Sequence, residues 1–182
     1  MAQVKSEIRE YAESFVIAVL LALFIIFFIA QSFLVQGDSM EPSLHDGERL
    51  LVDKVTYRFR PPQRGEIIVF SFPKDPRRKF IKRVIGVPGD TVEIRNRTLI
   101  INGVPIEEEY IRGPMYQPYG PITVPEGTVW VLGDNRNNSE DSRFPDVGPV
   151  PYDLIVGRAL FIYWPLGEAG IITVPKALAE LE

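Results

Sequence analysis

The sequence has 182 residues, of which 46% are hydrophobic and 24% charged, a composition that predicts one main folded domain rather than a disordered chain. The formal net charge is −4 at pH 7 and the 20 lysines and arginines are scattered, so we expect no nucleic-acid partner. The chain has no cysteine and a single histidine, which excludes disulfides, thiolate catalysis and metal sites built from Cys or His clusters.

An apolar segment, residues 14–35, follows the first thirteen residues. Its stretch from Phe15 to Ala30 contains no polar residue, and a helix of that length, rising about 1.5 Å per residue, reaches across a hydrocarbon layer of roughly 30 Å. A cleaved signal peptide is the alternative, but the apolar core of such a peptide usually has only about 7 to 15 residues. The sequence therefore predicts a retained, single-pass transmembrane helix at 14–35.

Basic residues near this segment predict its orientation. Lys5 and Arg9 precede it, whereas Arg49 is the only lysine or arginine among the fifteen residues that follow it. Basic flanks favour the cytoplasmic side of a membrane. We therefore expect residues 1–13 in the cytoplasm and residues 36–182 as an extracytoplasmic domain held at the cell membrane.

Beyond the apolar segment, the pattern changes to short runs of β-branched and aromatic residues separated by turns. Such runs predict strands; they include EIIVFSF, KFIKRVIGV, TVEI, TLII and GTVWVL. The Asn102–Gly103 pair is a strong signal for a two-residue β-hairpin, within a segment that we expect to form a small β insertion, residues 91–123. We predict a mainly β fold: an antiparallel β-sheet domain with a small β insertion, preceded by one transmembrane helix.

The stretch GDSMEPSL places Ser39 in a turn-rich loop just beyond the apolar segment. A serine hydroxyl becomes a nucleophile only when a base accepts its proton, and histidine, lysine or a carboxylate can do so. The single histidine, His45, lies in the turn-like LHDG, where an exposed polar residue is ordinary. An active site at Ser39 would lie near the lipid surface, and it would suit a substrate that is itself held in the bilayer.

Lys82 is the lysine whose surroundings best suit a base. It lies in the strand-like FIKRVIGV, where alternation places Phe80, Lys82 and Val84 on one face. Burial favours the neutral amine, whereas the ordinary pKa of about 10.4 leaves fewer than about one lysine in a thousand neutral at pH 7. A lysine that extends its amine to solvent fits the same pattern. Arg83 stays protonated and is excluded as a base.

A third stretch, GDNRNNSEDSR, follows an apolar strand with a dense set of hydrogen-bonding side chains. A calcium loop is one interpretation, but Arg136 stands at the third ligand position and no glycine stands at the sixth. A turn network of Asn and Asp side chains is another. We expect no metal and no organic cofactor.

The stretches GDSMEPSL, KFIKRVIGVPGD and GDNRNNSEDSR, in this order behind an apolar N-terminal segment, resemble bacterial type I signal peptidases. The resemblance covers nearly the whole chain. It implies a membrane-anchored Ser/Lys endopeptidase with an antiparallel β fold, which cuts signal peptides from exported preproteins after small residues of the Ala-x-Ala type. It also implies that the preprotein's signal peptide is the partner and that the enzyme acts as a monomer.

The resemblance also implies roles for individual residues. By motif position, Ser39 would be the nucleophile and Lys82 the general base. Ser139 would hydrogen-bond to the lysine and orient it. Asp141 and Arg143 would form a supporting ion pair.

Two further residues of the same loop, Asp134 and Asn138, would shape it. The chain also departs from the family pattern near the nucleophile. Some members carry a hydroxyl residue two positions before it that helps to bind the oxyanion, and here that position is Gly37. Backbone N–H groups, chiefly that of Ser39, would have to take over this task.

Two other functions fit parts of the sequence. A self-cleaving Ser/Lys protease related to the repressors of the DNA-damage response would carry a DNA-binding domain where this chain has its apolar segment. A non-catalytic, membrane-tethered β domain could bind a partner through the polar loop. That second function predicts no cleavage of a preprotein and no effect of Ser39→Ala.

Overall fold

The computed structural model describes residues 2–24 and 29–181 of the chain. It begins with helix α1, Ala2–Phe24, and the first strand, β1, is Ala30–Leu34. Neither α1 nor any other helix in the described ranges has both the length and the apolar character that a membrane crossing requires.

The predicted transmembrane helix, residues 14–35, differs from the structure at its C-terminal end. Residues 25–28 lie outside the described ranges, and residues 30–34 form β1, which pairs antiparallel with strand β2, Arg49–Asp53. Polar side chains enter the apolar run at Gln31 and Ser32, and pairing with β2 satisfies the backbone groups that a helix would satisfy internally. The prediction of helix was therefore wrong for residues 30–34.

The strands form two antiparallel sheets. The larger has the order β1-β2-β11-β3-β4-β9-β10, with β12 paired to β11, and the smaller has the order β7-β6-β5-β8. The strands after β2 are β3 Ile67–Phe72, β4 Asp75–Gly86, β5 Thr91–Arg95, β6 Thr98–Ile101, β7 Val104–Ile106, β8 Tyr119–Thr123, β9 Thr128–Leu132, β10 Val150–Pro151, β11 Ile155–Trp164 and β12 Gly170–Ile171. A short helix, α2, Lys176–Ala179, follows. The prediction of a mainly antiparallel β fold is confirmed.

The larger sheet has a hydrophobic core on each face because β3 is apolar on both sides. Ile67 and Val69 pack into one core, and Ile68 and Phe70 pack into the other. All four side chains are at most 1% exposed. A strand buried on both faces has a continuous apolar sequence, as IIVF does. The neighbouring strand β4 is therefore held against the most deeply buried part of the sheet.

The smaller sheet is built by residues 91–123, the segment expected to form a β insertion. Asn102 and Gly103 have φ angles of 53° and 80° and connect β6 to β7, which confirms the predicted hairpin. Asn96 and Arg97, with φ angles of 52° and 67°, make a second such turn between β5 and β6 that the sequence analysis did not predict. A third core joins the two sheets and contains Val92, Ile94, Trp130 and Leu132.

The loop after β1 is closed at its base and anchored in the core. The Val35 N–H donates to the Glu48 carbonyl at 2.8 Å, and the Gly47 N–H donates to the Val35 carbonyl at 3.1 Å. Met40 and Leu44 are fully buried in the core beneath the loop. These contacts fix the course of the backbone around the predicted nucleophile.

Candidate active site

Ser39 lies in this closed loop immediately before the buried Met40, and its side chain is half-buried. A residue from the polar loop after β9 holds the backbone on either side of it. The Asn135 N–H donates to the Ser39 carbonyl at 3.0 Å, and the Asn135 side-chain amide donates to the Asp38 carbonyl at 3.1 Å. Sequence reasoning assigned no role to Asn135, although it lies inside the quoted GDNRNNSEDSR stretch.

Lys82 and Ser39 meet although 43 positions separate them. Lys82 Nζ lies 2.8 Å from Ser39 Oγ and 3.0 Å from the Ile81 carbonyl oxygen. The lysine is 5% exposed, and its amine lies 5.3 Å from the centre of the Phe80 ring. Of the two interpretations left open by the sequence, the structure therefore shows the buried lysine and not the solvated one.

Burial has a direct electrostatic consequence for this amine. Removal from water disfavours the ammonium form and lowers the pKa of Lys82 from 10.5 to about 8. Three carboxylates, those of Asp141, Glu140 and Asp134, act in the opposite direction and favour the charged form. Because the pKa is lowered overall, desolvation outweighs these charges.

The negative charge of Asp134 is paired, because this carboxylate forms a buried ion pair with Arg83. The guanidinium donates to the two Asp134 oxygens at distances of 2.6 to 3.2 Å, and Arg83 and Asp134 are 2% and 0% exposed. Arg83 also donates to the Gly65 carbonyl at 2.8 Å and to Ser43 Oγ at 3.1 Å. Asp134 thus ties its loop to β4, one residue beyond Lys82, and Arg83 has a positioning role that sequence reasoning missed.

Asp141 and Arg143 form the second ion pair of the loop. Arg143 Nε and Nη2 donate to the two Asp141 oxygens at 2.7 and 2.8 Å. Asp141 is fully buried and also accepts the Gly133 N–H at 3.0 Å, while Arg143 donates to the Arg136 carbonyl at 2.6 Å. The pair therefore closes the loop on itself behind the lysine.

The structure does not form the expected hydrogen bond between Ser139 and Lys82. Among the described residues, the buried Ser139 Oγ has no hydrogen-bond partner, and the Lys82 amine is engaged by Ser39 and the Ile81 carbonyl instead. Ser139 nevertheless lies close to Ser39, since a Cβ added at Gly133 would collide with Ser139 Oγ and lie 2.5 Å from the Ser39 carbonyl oxygen. Asn138 is exposed, and its N–H donates to the Asn135 carbonyl at 2.9 Å.

His45 lies away from the Lys82 and Ser39 contact. Its imidazole is 54% exposed, and Nδ1 lies 3.7 Å from a carboxylate oxygen of Glu41. The Gly37 N–H donates to Asp46 Oδ1 at 2.7 Å and is therefore already used. The Ser39 N–H donates to no other residue in the ranges 2–24 and 29–181.

A cleft of about 700 Å³ opens at the two side chains. Its walls are residues 33–36 on one side and residues 77–82 on the other, with Ser39, Met40 and Glu140 completing the lining. A second cleft, of about 760 Å³, contains neither Ser39 nor Lys82. Within the described ranges, no group of three acidic or histidine side chains is placed to hold a metal ion.

The chain is similar to known proteins over most of its length. A family model for signal peptidase, peptidase S26, matches residues 8–164. A probable signal peptidase I-2 from Synechocystis sp. is 42% identical over 170 residues, which cover 90% of this chain and 77% of the relative. A signal peptidase I from Leptolyngbya laminosa is 42% identical over 179 residues, which cover 94% of this chain and 87% of the relative.

The chain is also similar to a protein of known structure. The crystal structure of a signal peptidase I from Enterococcus faecalis V583 is 38% identical in sequence, covers 53% of this chain and 95% of its own, and has a TM-score of 0.48. The sequence comparisons favour an enzyme over the non-catalytic binding domain. With the matched region extending over most of its length, the chain belongs to the signal peptidase family, peptidase S26, and is a serine peptidase of the signal peptidase I type.

Proposed function

We propose that this enzyme removes signal peptides from exported preproteins, with Ser39 as the nucleophile and Lys82 as its general base. The carrying observation is the 2.8 Å separation between Lys82 Nζ and Ser39 Oγ, at an amine whose pKa burial lowers to about 8. With that pKa, about one tenth of the lysines are neutral at pH 7, several hundred times more than at the ordinary value.

The proposed reaction begins when the neutral Lys82 amine accepts the Ser39 proton as Oγ attacks the carbonyl carbon of the cleaved bond. The resulting ammonium group then gives its proton to the leaving amine, which becomes the new N-terminus of the mature protein. An acyl-enzyme remains, in which Ser39 carries the signal peptide as an ester. Lys82, neutral again, activates water to hydrolyse this ester and release the signal peptide.

The developing oxyanion needs a hydrogen-bond donor that is not otherwise engaged. The Ser39 N–H meets this requirement among the described residues, whereas the Gly37 N–H is bound to Asp46. A donor fixed in the backbone of an anchored loop stabilises negative charge without first having to reorganise. We assign the Ser39 N–H this role, and Gly37 itself contributes no side chain to it.

The proposed specificity is for small side chains of the Ala-x-Ala type before the cut. The cleft wall next to Ser39 is formed by apolar side chains that include Phe33, Val35, Met40 and Ile81. A small side chain fits shallow apolar depressions in such a wall, whereas a large one would collide with it. All groups in the reaction come from one chain, so we propose that the enzyme acts as a monomer.

We propose that the apolar segment that begins at residue 14 anchors the enzyme in the cell membrane. Between Phe15 and Leu21 the large apolar side chains of α1 are exposed, with Phe15 70% and Ile17 65% accessible, and continuous apolar surface of this kind requires cover. The basic residues Lys5 and Arg9 before the segment favour a cytoplasmic N-terminus. The peptidase domain would then face the extracytoplasmic side, where exported preproteins emerge.

Ser39→Ala and Lys82→Met should each lower cleavage of a preprotein carrying an Ala-x-Ala site by roughly a thousandfold or more. The first change removes the nucleophile, and the second removes the base while keeping an unbranched side chain. The measurement is the appearance of the mature N-terminus, using purified full-length enzyme in detergent. Lys82→Met should unfold at a temperature no lower than wild type, because methionine is buried without the cost of a neutralised amine.

One control is a variant of another candidate base, and the other is a substrate with a large side chain before the cut. His45→Ala should cleave at close to the wild-type rate, and a preprotein with Phe instead of Ala directly before the cut should resist wild-type enzyme. Normal cleavage by Lys82→Met together with loss of cleavage by His45→Ala would assign the base to His45 instead.

The rate of cleavage should rise with pH and level off above a midpoint near 8, because only the neutral form of Lys82 accepts the proton and burial lowers its pKa to about 8. Glu140→Gln should shift the midpoint to lower pH, since the Glu140 carboxylate raises this pKa. The measurement is kcat/KM from pH 6 to 10 for both proteins. A profile that is flat over this range would contradict the assignment of Lys82.

Gly133→Ala should lower kcat by at least about tenfold. The added methyl group would collide with Ser139 Oγ and lie 2.5 Å from the Ser39 carbonyl oxygen, so the backbone of the nucleophile must shift. Gly167→Ala is the control, because a Cβ there meets no atom within 4 Å. Steady-state kinetics would test the pair, and equal kcat values for the two variants would disprove the close approach.

The full-length chain should remain with membranes washed at alkaline pH, and protease added from the outside should digest its catalytic domain. Leu20→Lys combined with Leu21→Lys should release the chain into the wash, because each charge placed inside the hydrocarbon costs about 2.5 to 3.5 kcal/mol. Immunoblotting of the fractions measures both results. Recovery of the unmodified chain in the wash would rule out an anchoring segment.

A further inference from the structure

The wall of the catalytic cleft that β4 forms is strongly basic before it reaches Lys82. Arg77, Arg78 and Lys79 are consecutive, exposed and part of the cleft lining. The proposed reaction uses none of them. A peptide bound in the cleft nevertheless lies against this wall. The positive charge of the wall therefore affects which peptides bind well.

Two of the three cations already have partners. Arg77 Nε lies 3.1 Å from Asp75 Oδ1. Lys79 Nζ donates to Ser71 Oγ and to the Pro76 carbonyl, each at 2.7 Å. Arg78 has no ion pair with any carboxylate in residues 2–24 and 29–181. Its guanidinium donors are therefore available for a ligand.

Aromatic rings hold the Arg78 guanidinium in place. Its central carbon lies 5.1 Å from the centre of the Phe72 ring and 5.2 Å from that of Phe80. The two rings are stacked, with centres 4.8 Å apart and planes 17° apart. A guanidinium on an aromatic face keeps its N–H groups at the rim free to bind a carboxylate with two hydrogen bonds. Such an arrangement reduces the entropy that binding would cost.

Arg78 and the catalytic amine lie on the same side of β4. Alternation places Phe80 and Lys82 on one face of β4. Arg78 lies where the register of β4 against β3 shifts, but its guanidinium reaches the same ring, since the centre of Phe80 lies 5.2 Å from the guanidinium carbon and 5.3 Å from the Lys82 amine. The two cations are therefore no more than about 11 Å apart, a distance that three to four residues of extended chain cover. An extended peptide that runs along β4 with its cleaved bond at Ser39 therefore brings a side chain about four positions away to Arg78.

The edge of β4 next to the cleft is open to such a peptide. In the described part of the chain, β4 pairs with β9 only between Arg83 and Gly86, whereas residues 79–82 pair with β3 alone. Glu140, also part of the cleft lining, carries negative charge near Lys82. An acidic side chain next to the cut would be repelled by Glu140, and one at the Arg78 end would not.

We propose that Arg78 is a specificity-determining residue that binds an acidic side chain of the preprotein about four positions from the cleaved bond. This inference rests on the proposed function and names a substrate class within it: preproteins with Asp or Glu at that distance on one side of the cut. The carboxylate binds the guanidinium that Phe72 and Phe80 hold in place.

The test uses full-length enzyme in detergent and peptides with one Ala-x-Ala site. Each peptide carries a single Asp or, in its matched partner, Asn, at positions two to six before or after the cut. The expected result is that kcat/KM favours Asp over Asn by about 2- to 5-fold in one direction, at about the fourth position. The preference should weaken in 0.5 M NaCl, because salt screens an exposed charge pair.

Variants of neighbouring residues make the assignment specific. Arg78→Gln should remove the preference for Asp, and Arg78→Glu should reverse it in favour of Lys at the same position. Arg77→Gln removes the same charge from the adjacent residue of the cleft lining, whose guanidinium is already paired with Asp75, so this variant should keep the preference for Asp.

Three results would overturn the inference, and they differ in what else they overturn. If wild type cleaves all peptides equally, Arg78 selects nothing while the proposed function stands. If wild type cleaves none, the proposed function fails with it. The same peptides are also assayed with the enzyme in vesicles that contain an anionic lipid: if Arg78→Gln slows Asp and Asn peptides alike, and only in these vesicles, Arg78 binds lipid headgroups rather than substrate.

Discussion

The proposed mechanism depends on keeping the Lys82 amine out of water beside the Ser39 hydroxyl, 2.8 Å away. Lowering the pKa of Lys82 from 10.5 to about 8 corresponds to about 3 kcal/mol of folding free energy. Because the folded state binds this proton more weakly, the cost is fully present below about pH 8, decreases as the pH rises from about 8 to 10.5, and is absent above that. The two-sided core around β3 and β4 must supply the stability that offsets it.

The two buried ion pairs limit the charge that reaches this amine. Asp134 and Asp141 are both fully buried. Each carboxylate favours the charged form of Lys82, and an unpaired one would favour it more strongly. Arg83 neutralises the first and Arg143 the second. Glu140 is the exposed member of the three, where water screens its charge. Pairing the buried acids therefore leaves desolvation as the larger effect on the lysine.

The same pairs explain how much of the site the sequence could predict. Alternation in FIKRVIGV placed Lys82 with Phe80 on a buried face, and family motifs brought Ser39 together with it. The partner of Arg83 could not be predicted, because it depends on the pairing of β4 with β9 across 51 positions of sequence. The role of Asn135 in holding the loop that contains Ser39 could not be predicted from a local pattern either. Its side-chain amide donates to the Asp38 carbonyl, 97 positions away in the sequence.

Most of the fold could be predicted because its signals are local. The prediction was wrong at one boundary, the C-terminal end of the expected helix. Strand runs and the Asn102–Gly103 turn are local signals, and both appear in the structure. The apolar run from 14 to 35 does not show that its last residues form a strand instead of a helix. Strand β1 forms because it pairs with β2, which follows the loop that contains Ser39. Tertiary pairing overrides local preference at such points.

Strand β1 also limits the distance between the proposed membrane segment and the cleft. Residues 33–36, at and just beyond its end, form one wall of the cleft. Ser39 is only five positions beyond Leu34, the last residue of β1, which corresponds to at most about 17 Å of extended chain. A segment that holds the chain in a bilayer therefore also limits how far the cleft can lie from the lipid surface. Under the proposed function, a preprotein held in the bilayer by its own signal peptide would meet Ser39 by diffusion within one layer, and encounters would be frequent even if each contact with the cleft were weak.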